Sequence, residues 1–255
     1  PKTGEETLFE KYWINGTPTQ YCGKDNLRFQ SAMWQSMLLS AGLPLSKCII
    51  VDGFINSGGQ KMSKSLGNVI SPFDVVNIYK DLGAISGSDA LRYFLISEIP
   101  TFEDGDMTLD RVKESYESSL ADGVGNLTSR ILTMSDKYGA WPTKEEHDAQ
   151  AKSDWANALN AALADLLGKY EVGKAAERIM HECRELDRRI QESEPFKLFK
   201  TDEALAKNIV KELVSKLRCI AVAFESFIPQ TAQEIISHID AEKKLEKPLF
   251  PKVKP

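Results

Sequence analysis

Cys48-Ile49-Ile50-Val51-Asp52-Gly53-Phe54-Ile55, followed by Asn56-Ser57-Gly58-Gly59, is the stretch that decides the class of fold. Short, rich in β-branched residues and closed by a double-glycine turn signal, it predicts a strand over Cys48–Ile55. Upstream, the apolar residues Phe29, Met33, Trp34, Met37, Leu38 and Ala41 fall at helical spacing. Gly42-Leu43-Pro44 stops that helix. A helix feeding a short buried strand is the unit of an α/β sheet.

Beyond about residue 105 the pattern changes to helices alone. Val112, Tyr116, Leu120, Val124, Leu127, Ile131 and Met134 step by 4, 4, 4, 3, 4 and 3, which predicts one helix from Thr108 to about Tyr138. Thr143 and Glu146 have capping-box spacing and open a second, carrying Trp155, Leu159, Leu163, Leu166 and Tyr170. A third runs through Val172, Ala176, Ile179, Cys183, Leu186 and Ile190 and ends before Pro195. Thr201-Asp202-Glu203 starts a fourth, with Ile209, Leu213, Leu217, Ile220 and Phe224 inward, and a short fifth follows Pro229. The expectation is an antiparallel helix bundle, with the Lys-rich end from Lys243 as a tail.

Composition narrows the function classes. Of 255 residues, 42% are hydrophobic and 27% charged, which excludes collagen, low-complexity disorder and a disulfide mini-scaffold. No apolar run approaches transmembrane length. Pro1-Lys2-Thr3-Gly4-Glu5-Glu6 has no apolar core, so no secretory signal is expected. Cys22, Cys48, Cys183 and Cys219 are isolated, which predicts buried thiols in a reducing compartment and no zinc site. A net charge of −5 excludes indiscriminate coating of DNA, but not a nucleic acid read at a few points. From Lys174 to Arg218 there are 11 basic and 9 acidic residues, a net of only +2.

Chemistry concentrates in Lys61-Met62-Ser63-Lys64-Ser65-Leu66-Gly67-Asn68. Two lysines three apart, among small hydroxyls and ahead of a glycine, suit a loop that closes ammonium groups and backbone N–H donors over a polyphosphate. A solvated surface loop is the plain alternative for any such spacing.

Lys61 to Ser65 spells the KMSKS signature of class I aminoacyl-tRNA synthetases. Gly23-Lys24-Asp25-Asn26 with Phe29, Trp34 and Gly42 resembles a segment of the methionyl-tRNA synthetases. So do Asp89-Ala90-Leu91-Arg92-Tyr93-Phe94-Leu95, Glu98-Ile99-Pro100, Asp104-Gly105-Asp106, Gly125-Asn126-Leu127-Thr128-Ser129-Arg130 and Leu249-Phe250-Pro251, in that order.

The resemblance implies an enzyme that activates methionine with ATP, accompanied by Mg2+, and transfers it to tRNA(Met) bearing a CAU anticodon. Lys64 is then the main phosphate contact, assisted by Lys61 and Ser63. Gly23, Lys24 and Asp25 lie near the adenosine, with Asp25 on a ribose hydroxyl. Asn26, Gln30 and Trp34 line the methionine pocket. Asn126 and Arg130, one turn apart on a helix, flank its apolar stripe and suit base recognition, with Phe196 as a stacking platform. From the residues alone, Arg184, Arg188 and Arg189 cluster at the end of the third helix near Phe196, which suits either a phosphate or a solvated helix end that complements the dipole.

The pattern also departs from the family. Gln30 replaces a histidine, Asp52 stands where His-Gly is usual, and Phe196 replaces a tryptophan. The family's HIGH motif and zinc-knuckle cysteines do not occur. The expected fold is therefore α/β plus all-α: the C-terminal half of a Rossmann-type nucleotide-binding fold with the KMSKS loop (1–70), a connecting region (71–107), a helical anticodon-binding domain (108–245) and a tail (246–255). Its partner would be the N-terminal half of the synthetase, without which activation fails. A cytoplasmic or organellar setting is expected, with no membrane or DNA partner. Two alternatives stay open: a non-catalytic tRNA-binding module, and a leucyl, isoleucyl, valyl or cysteinyl enzyme.

Overall fold

The computed structural model describes residues 6–252. Residues 1–5, on which the expected lack of a secretory signal rests, and 253–255 lie outside that description. Strands β1 (Thr19–Gly23) and β2 (Cys48–Asp52) run parallel, with Tyr21 opposite Ile50. Between them a wide helical turn over Phe29–Met33 continues into α1 (Trp34–Ser40), and Gly42 at φ +66° follows its end. The expected helix and stop are both present.

The expected strand Cys48–Ile55 is two strands. The chain leaves the first sheet after Asp52, and Ile55 begins β3 (Ile55–Ser57), the centre of a second sheet between β4 (Gln60–Lys61) and β5 (Gly105–Asp106). The cause is non-local. The Gly53 backbone lies so close to residue 103 that a Cβ there would come within 2.0 Å of the Glu103 carbonyl oxygen. Only glycine permits that approach, and it marks the break.

Two helices, α2 (Pro72–Leu82) and α3 (Gly87–Ser97), follow, each started by a serine hydroxyl accepting a backbone N–H. The long helix then runs as α4 (Leu109–Ser115), a widened i→i+5 segment over Tyr116–Gly125, and α5 (Asn126–Tyr138), ended by Gly139 at φ +57°. Its predicted stripe is buried from Val112 to Ile131, with Met134 partly buried.

The second predicted helix is also divided. Thr143 and Glu146 form the capping box of a short α6 (Lys144–Ala151), and Ser153 then caps a new helix, α7 (Asp154–Gly168), by accepting the Ala156 N–H at 3.2 Å. Tyr170 lies beyond its end, at φ +60°. α8 (Val172–Ser193), a single turn α9 (Pro195–Leu198), α10 (Glu203–Phe224) and α11 (Pro229–Asp240) complete the molecule.

One continuous core runs from Val75 on α2 to Phe250, so the connecting helices share it with the bundle. Each large side chain buried in it contributes about 1.5–3 kcal/mol relative to exposure. Residues 246–252 are not the tail expected from their lysines. Leu249 and Phe250 are buried, Phe250 packs edge-on to Tyr116, and the Tyr116 hydroxyl donates to the Pro251 carbonyl at 2.8 Å. Among the described residues no helix is long and apolar enough to cross a membrane.

Candidate functional site

The lysine-rich loop grows from the β3–β4 hairpin. Its turn is Gly58-Gly59, at φ +61° and +75°, a left-handed pair that side-chained residues resist. The Gly59 N–H donates to Asp106 Oδ1 at 2.8 Å, which ties the hairpin tip to β5. Ser63 then caps one helical turn over Lys64–Leu66, its Oγ accepting the Leu66 N–H at 3.2 Å. Asn68 closes the loop: its Oδ1 accepts the Ser63 N–H at 2.9 Å and its Nδ2 donates to the Lys61 carbonyl at 3.3 Å. The Ser63 and Ser65 hydroxyls lie 3.1 Å apart. Lys64 sits at the start of this turn, exposed, and forms no ion pair among the described residues.

Lys61 and Lys24 meet on one ring. The Lys61 Nζ lies 3.9 Å from the centroid of Phe54, and the Lys24 Nζ lies 4.4 Å from it. Asp104 accepts from Lys24 at 2.5 and 2.7 Å and from the Phe54 N–H at 2.8 Å. The Lys24 ammonium and then the Phe54 amide hold the Asp104 carboxyl below the usual carboxylate range. The pair is exposed and screened by solvent, so its consequence is position rather than stability. Asp104 pairs with Lys24 while Lys61 rests on the Phe54 ring, and the exposed Lys64 adds a third positive charge on the same hairpin as Lys61. This concentration of charge suits a polyanion. Sequence reasoning misses Phe54, Asp104 and Asp106 as site residues: the sequence signal for the two aspartates is the Asp104-Gly105-Asp106 block, which by itself assigns no role, and Phe54 reads only as part of the strand.

Gly23-Lys24-Asp25-Asn26 leaves the C-terminal end of β1 beside the end of β2, the edge at which α/β sheets bind ligands. Asp25 is exposed there and its Oδ1 accepts weakly from the Asn26 amide at 3.4 Å. Opposite Gly23 stands Asp52, whose carboxyl is raised by burial. Burial and then Asp52 push the Tyr21 phenol up to about 12. The departure at position 52 thus gives a tyrosine–carboxyl pair.

Gln30 and Trp34 lie one turn apart on the helical segment. The Gln30 carbonyl accepts from the Gln35 amide at 2.9 Å. Trp34 packs edge-on to Trp13, with centroids 6.4 Å apart, and its buried indole N–H has no partner among the described residues. Trp13 in turn donates to the Pro44 carbonyl at 3.0 Å and stacks with Phe9. An aromatic wall results.

On the bundle, Asn126 is exposed at the start of α5 and Arg130 follows one turn later. Arg130 is ion-paired with Asp187 of α8, which also accepts from Gln191 at 2.6 Å, so its guanidinium is oriented from a second helix. Phe196 stands on α9, 47% exposed. Arg184, Arg188 and Arg189 are each paired with a glutamate, namely Glu177, Glu185 and Glu212, and present no bare cationic cluster for a phosphate. Among the described residues no three His, Cys, Asp or Glu side chains converge as a metal site.

Comparison with known proteins bears on the family of the chain. Residues 1–132 match the family described as tRNA synthetases class I (M). A methionine–tRNA ligase of Rhizobium meliloti is 33% identical over 220 residues, 84% of this chain and 41% of that protein. One from Fusobacterium nucleatum is 32% identical over 257 residues, 98% of this chain and 39% of its own length. The crystal structure of Mycobacterium tuberculosis methionyl-tRNA synthetase bound by methionyl-adenylate superposes with a TM-score of 0.75 at 26% identity, covering 92% of this chain and 46% of that one. The chain therefore spans about two fifths of the length of the curated relatives it matches. It belongs to the class I tRNA synthetases of the methionyl type.

Proposed function

We propose that the chain is the C-terminal part of a methionine–tRNA ligase, which joins methionine to ATP as methionyl-adenylate and passes it to tRNA(Met). The observation that carries this reading is the lysine loop. Lys64, which has no ion pair among the described residues, stands on a hairpin whose root is braced by Asp104 and Asp106, with Lys61 and Lys24 gathered on Phe54. In activation the methionine carboxylate attacks the α-phosphorus in line and pyrophosphate leaves. Such a step needs position and charge rather than a protein nucleophile. Lys64, Lys61 and Ser63 neutralise the departing phosphates, and Gly23, Lys24 and Asp25 seat the nucleoside of ATP, which enters as its magnesium complex. Asn26, Gln30 and Trp34 hold methionine, its thioether against the aromatic wall. Asn126, Arg130 and Phe196 read the CAU anticodon.

Residues 1–70 act as the later half of a Rossmann-type catalytic fold, 71–107 as the connection and 108–245 as the tRNA-binding bundle. Support for a partner half comes from the surface of the first region. Phe29 is 54% exposed and Met37 61%, and Leu8, Phe9, Tyr12, Met33 and Leu39 are exposed with them. Parallel strands are normally covered on both faces, and a two-stranded parallel sheet edged by such residues fits against the N-terminal half of the catalytic fold. The cytoplasm or an organellar matrix is the setting this activity requires.

The test is methionine-dependent exchange of pyrophosphate into ATP, with the N-terminal half present. Methionine supports exchange, leucine, isoleucine, valine and cysteine do not, and Lys64→Ala loses about 10²–10³ in rate. A CAU tRNA with one anticodon base changed, titrated at the same salt, loses about 1–3 kcal/mol of binding, and Asn126→Ala or Arg130→Ala reproduces that loss. Anticodon-dependent binding with no exchange for any amino acid would replace the ligase with a tRNA-binding module.

A further inference from the structure

α3 carries Asp89-Ala90-Leu91-Arg92-Tyr93-Phe94-Leu95, a stretch that the chemistry above does not use. Asp89 is fully buried, and its Oδ2 accepts the backbone N–H of Thr231 at 2.7 Å. Thr231 is the third residue of α11, and the residue in that helix's own cap position, Ile228, offers no side-chain acceptor. Asp89 therefore supplies from another helix the carboxylate that an N-terminus favours. One turn later on α3, Arg92 Nε donates to the Phe227 carbonyl at 3.0 Å and Nη2 to the Ser226 carbonyl at 2.9 Å. These carbonyls come just after the C-terminal end of α10, where a cation is favoured. α3 thus grips both sides of the α10–α11 connection with charges of opposite sign.

Ile228 is itself wholly buried in the core, so α11 takes its N-terminal acceptor from α3, through a carboxylate whose other oxygen, Oδ1, has no partner among the described residues. The arrangement found ties separate parts together. From its far end α3 leads into residues 98–106, where Asp104 and Asp106 hold the Phe54 and Gly59 amides at the root of the lysine loop. α10, at the gripped end, packs against α5 and α8, which carry Asn126, Arg130 and Asp187.

We propose that Asp89 and Arg92 are positioning residues that fix the angle between the tRNA-reading helices and the lysine loop, a role that rests on the ligase reading above. The complete synthetase carrying Arg92→Leu, Asp89→Asn or Arg92→Lys is assayed in three ways: pyrophosphate exchange without tRNA, charging of whole tRNA, and charging of an acceptor-stem minihelix that lacks the anticodon. Arg92→Leu and Asp89→Asn keep the first and third rates, while charging of whole tRNA falls about tenfold to a hundredfold, and Arg92→Lys recovers part of it. Equal loss in all three assays, or none for whole tRNA, overturns the proposal. A second measurement does not depend on catalysis. Residual dipolar couplings of this chain fit one rigid alignment for β3–β5 and α10–α11, and Arg92→Leu requires two. A single alignment in the variant overturns the positioning role whatever the chain catalyses, whereas failure of exchange in the unaltered synthetase counts against the ligase reading instead.

Discussion

Residues 6–70 and residues 72–250 are built on opposite terms. The second region buries its stripe on every long helix, with Leu120, Ile131, Leu132, Val214 and Phe224 wholly enclosed. In the first, Leu38 and Ile50 are the only large aliphatic side chains buried among the described residues, and Phe29, Met33, Met37 and Leu39 face outward. The first region holds the charged loop and the second holds the stability. In the proposed reading, one region is an incomplete layer that carries the chemistry, and the other is a closed core that positions it.

The largest expected contrast is in stability. Leu132→Ala, at a wholly buried site, lowers the unfolding free energy by about 2–5 kcal/mol. Leu39→Ala, at a site 65% exposed, changes it by less than about 0.5 kcal/mol. Urea denaturation of both variants measures this, and equal losses would break the comparison. Lys64→Ala is the converse case. It removes about 10²–10³ in exchange rate while leaving the urea midpoint where it was. A shifted midpoint would mean that the loop supports the fold.

A smaller effect sharpens the picture of the loop. Phe54→Leu keeps an apolar side chain but removes the face on which Lys61 and Lys24 rest, so the half-saturating ATP concentration shifts about two- to fivefold. An unchanged value would show the ring to be only packing. The smallest effect belongs to the bundle. Burial and then the nearby Arg218 hold His147 below the ordinary histidine range. The unfolded chain then binds the proton more readily, so stability declines as pH falls below about 6.5, and His147→Gln flattens the decline. Thermal melts between neutral and mildly acidic pH read this out, and identical slopes in both proteins would remove His147 as the cause.

Legibility in the sequence follows the range of the cause. The helices of the bundle were readable because an apolar stripe and a cap are local signals: Thr143, Asp202 and Gly139 act within a few residues of themselves. Ser153 is just as local, but the capping box before it masked the restart of the helix. The split of Cys48–Ile55 was not readable, because it arises from Glu103, far along the chain. The same holds at the candidate site. Lys61, Ser63 and Lys64 announce themselves as a motif, whereas Phe54 gains its part only when Asp104 and Lys24 arrive beside it, and the partner of Arg130 lies on another helix. The burial of Leu249 and Phe250 was obscured by the lysines around them.

The widened segment Tyr116–Gly125 was written in the spacing. Three successive steps of four, from Val112 to Val124, would drift about 40° each on a regular helix and carry Val124 off the core face. Bonding i→i+5 slows the winding, and all four residues stay buried. This gives the segment the character of a phase setting. Removing one residue within it would turn everything downstream by about 100° relative to α4. Asn126 and Arg130 would then swing off their present azimuth although no residue of either had changed. The direction in which α5 presents its polar edge is therefore set by ten residues that never touch a ligand in the proposed reading, and a single-residue deletion there is a rotational instrument for α5.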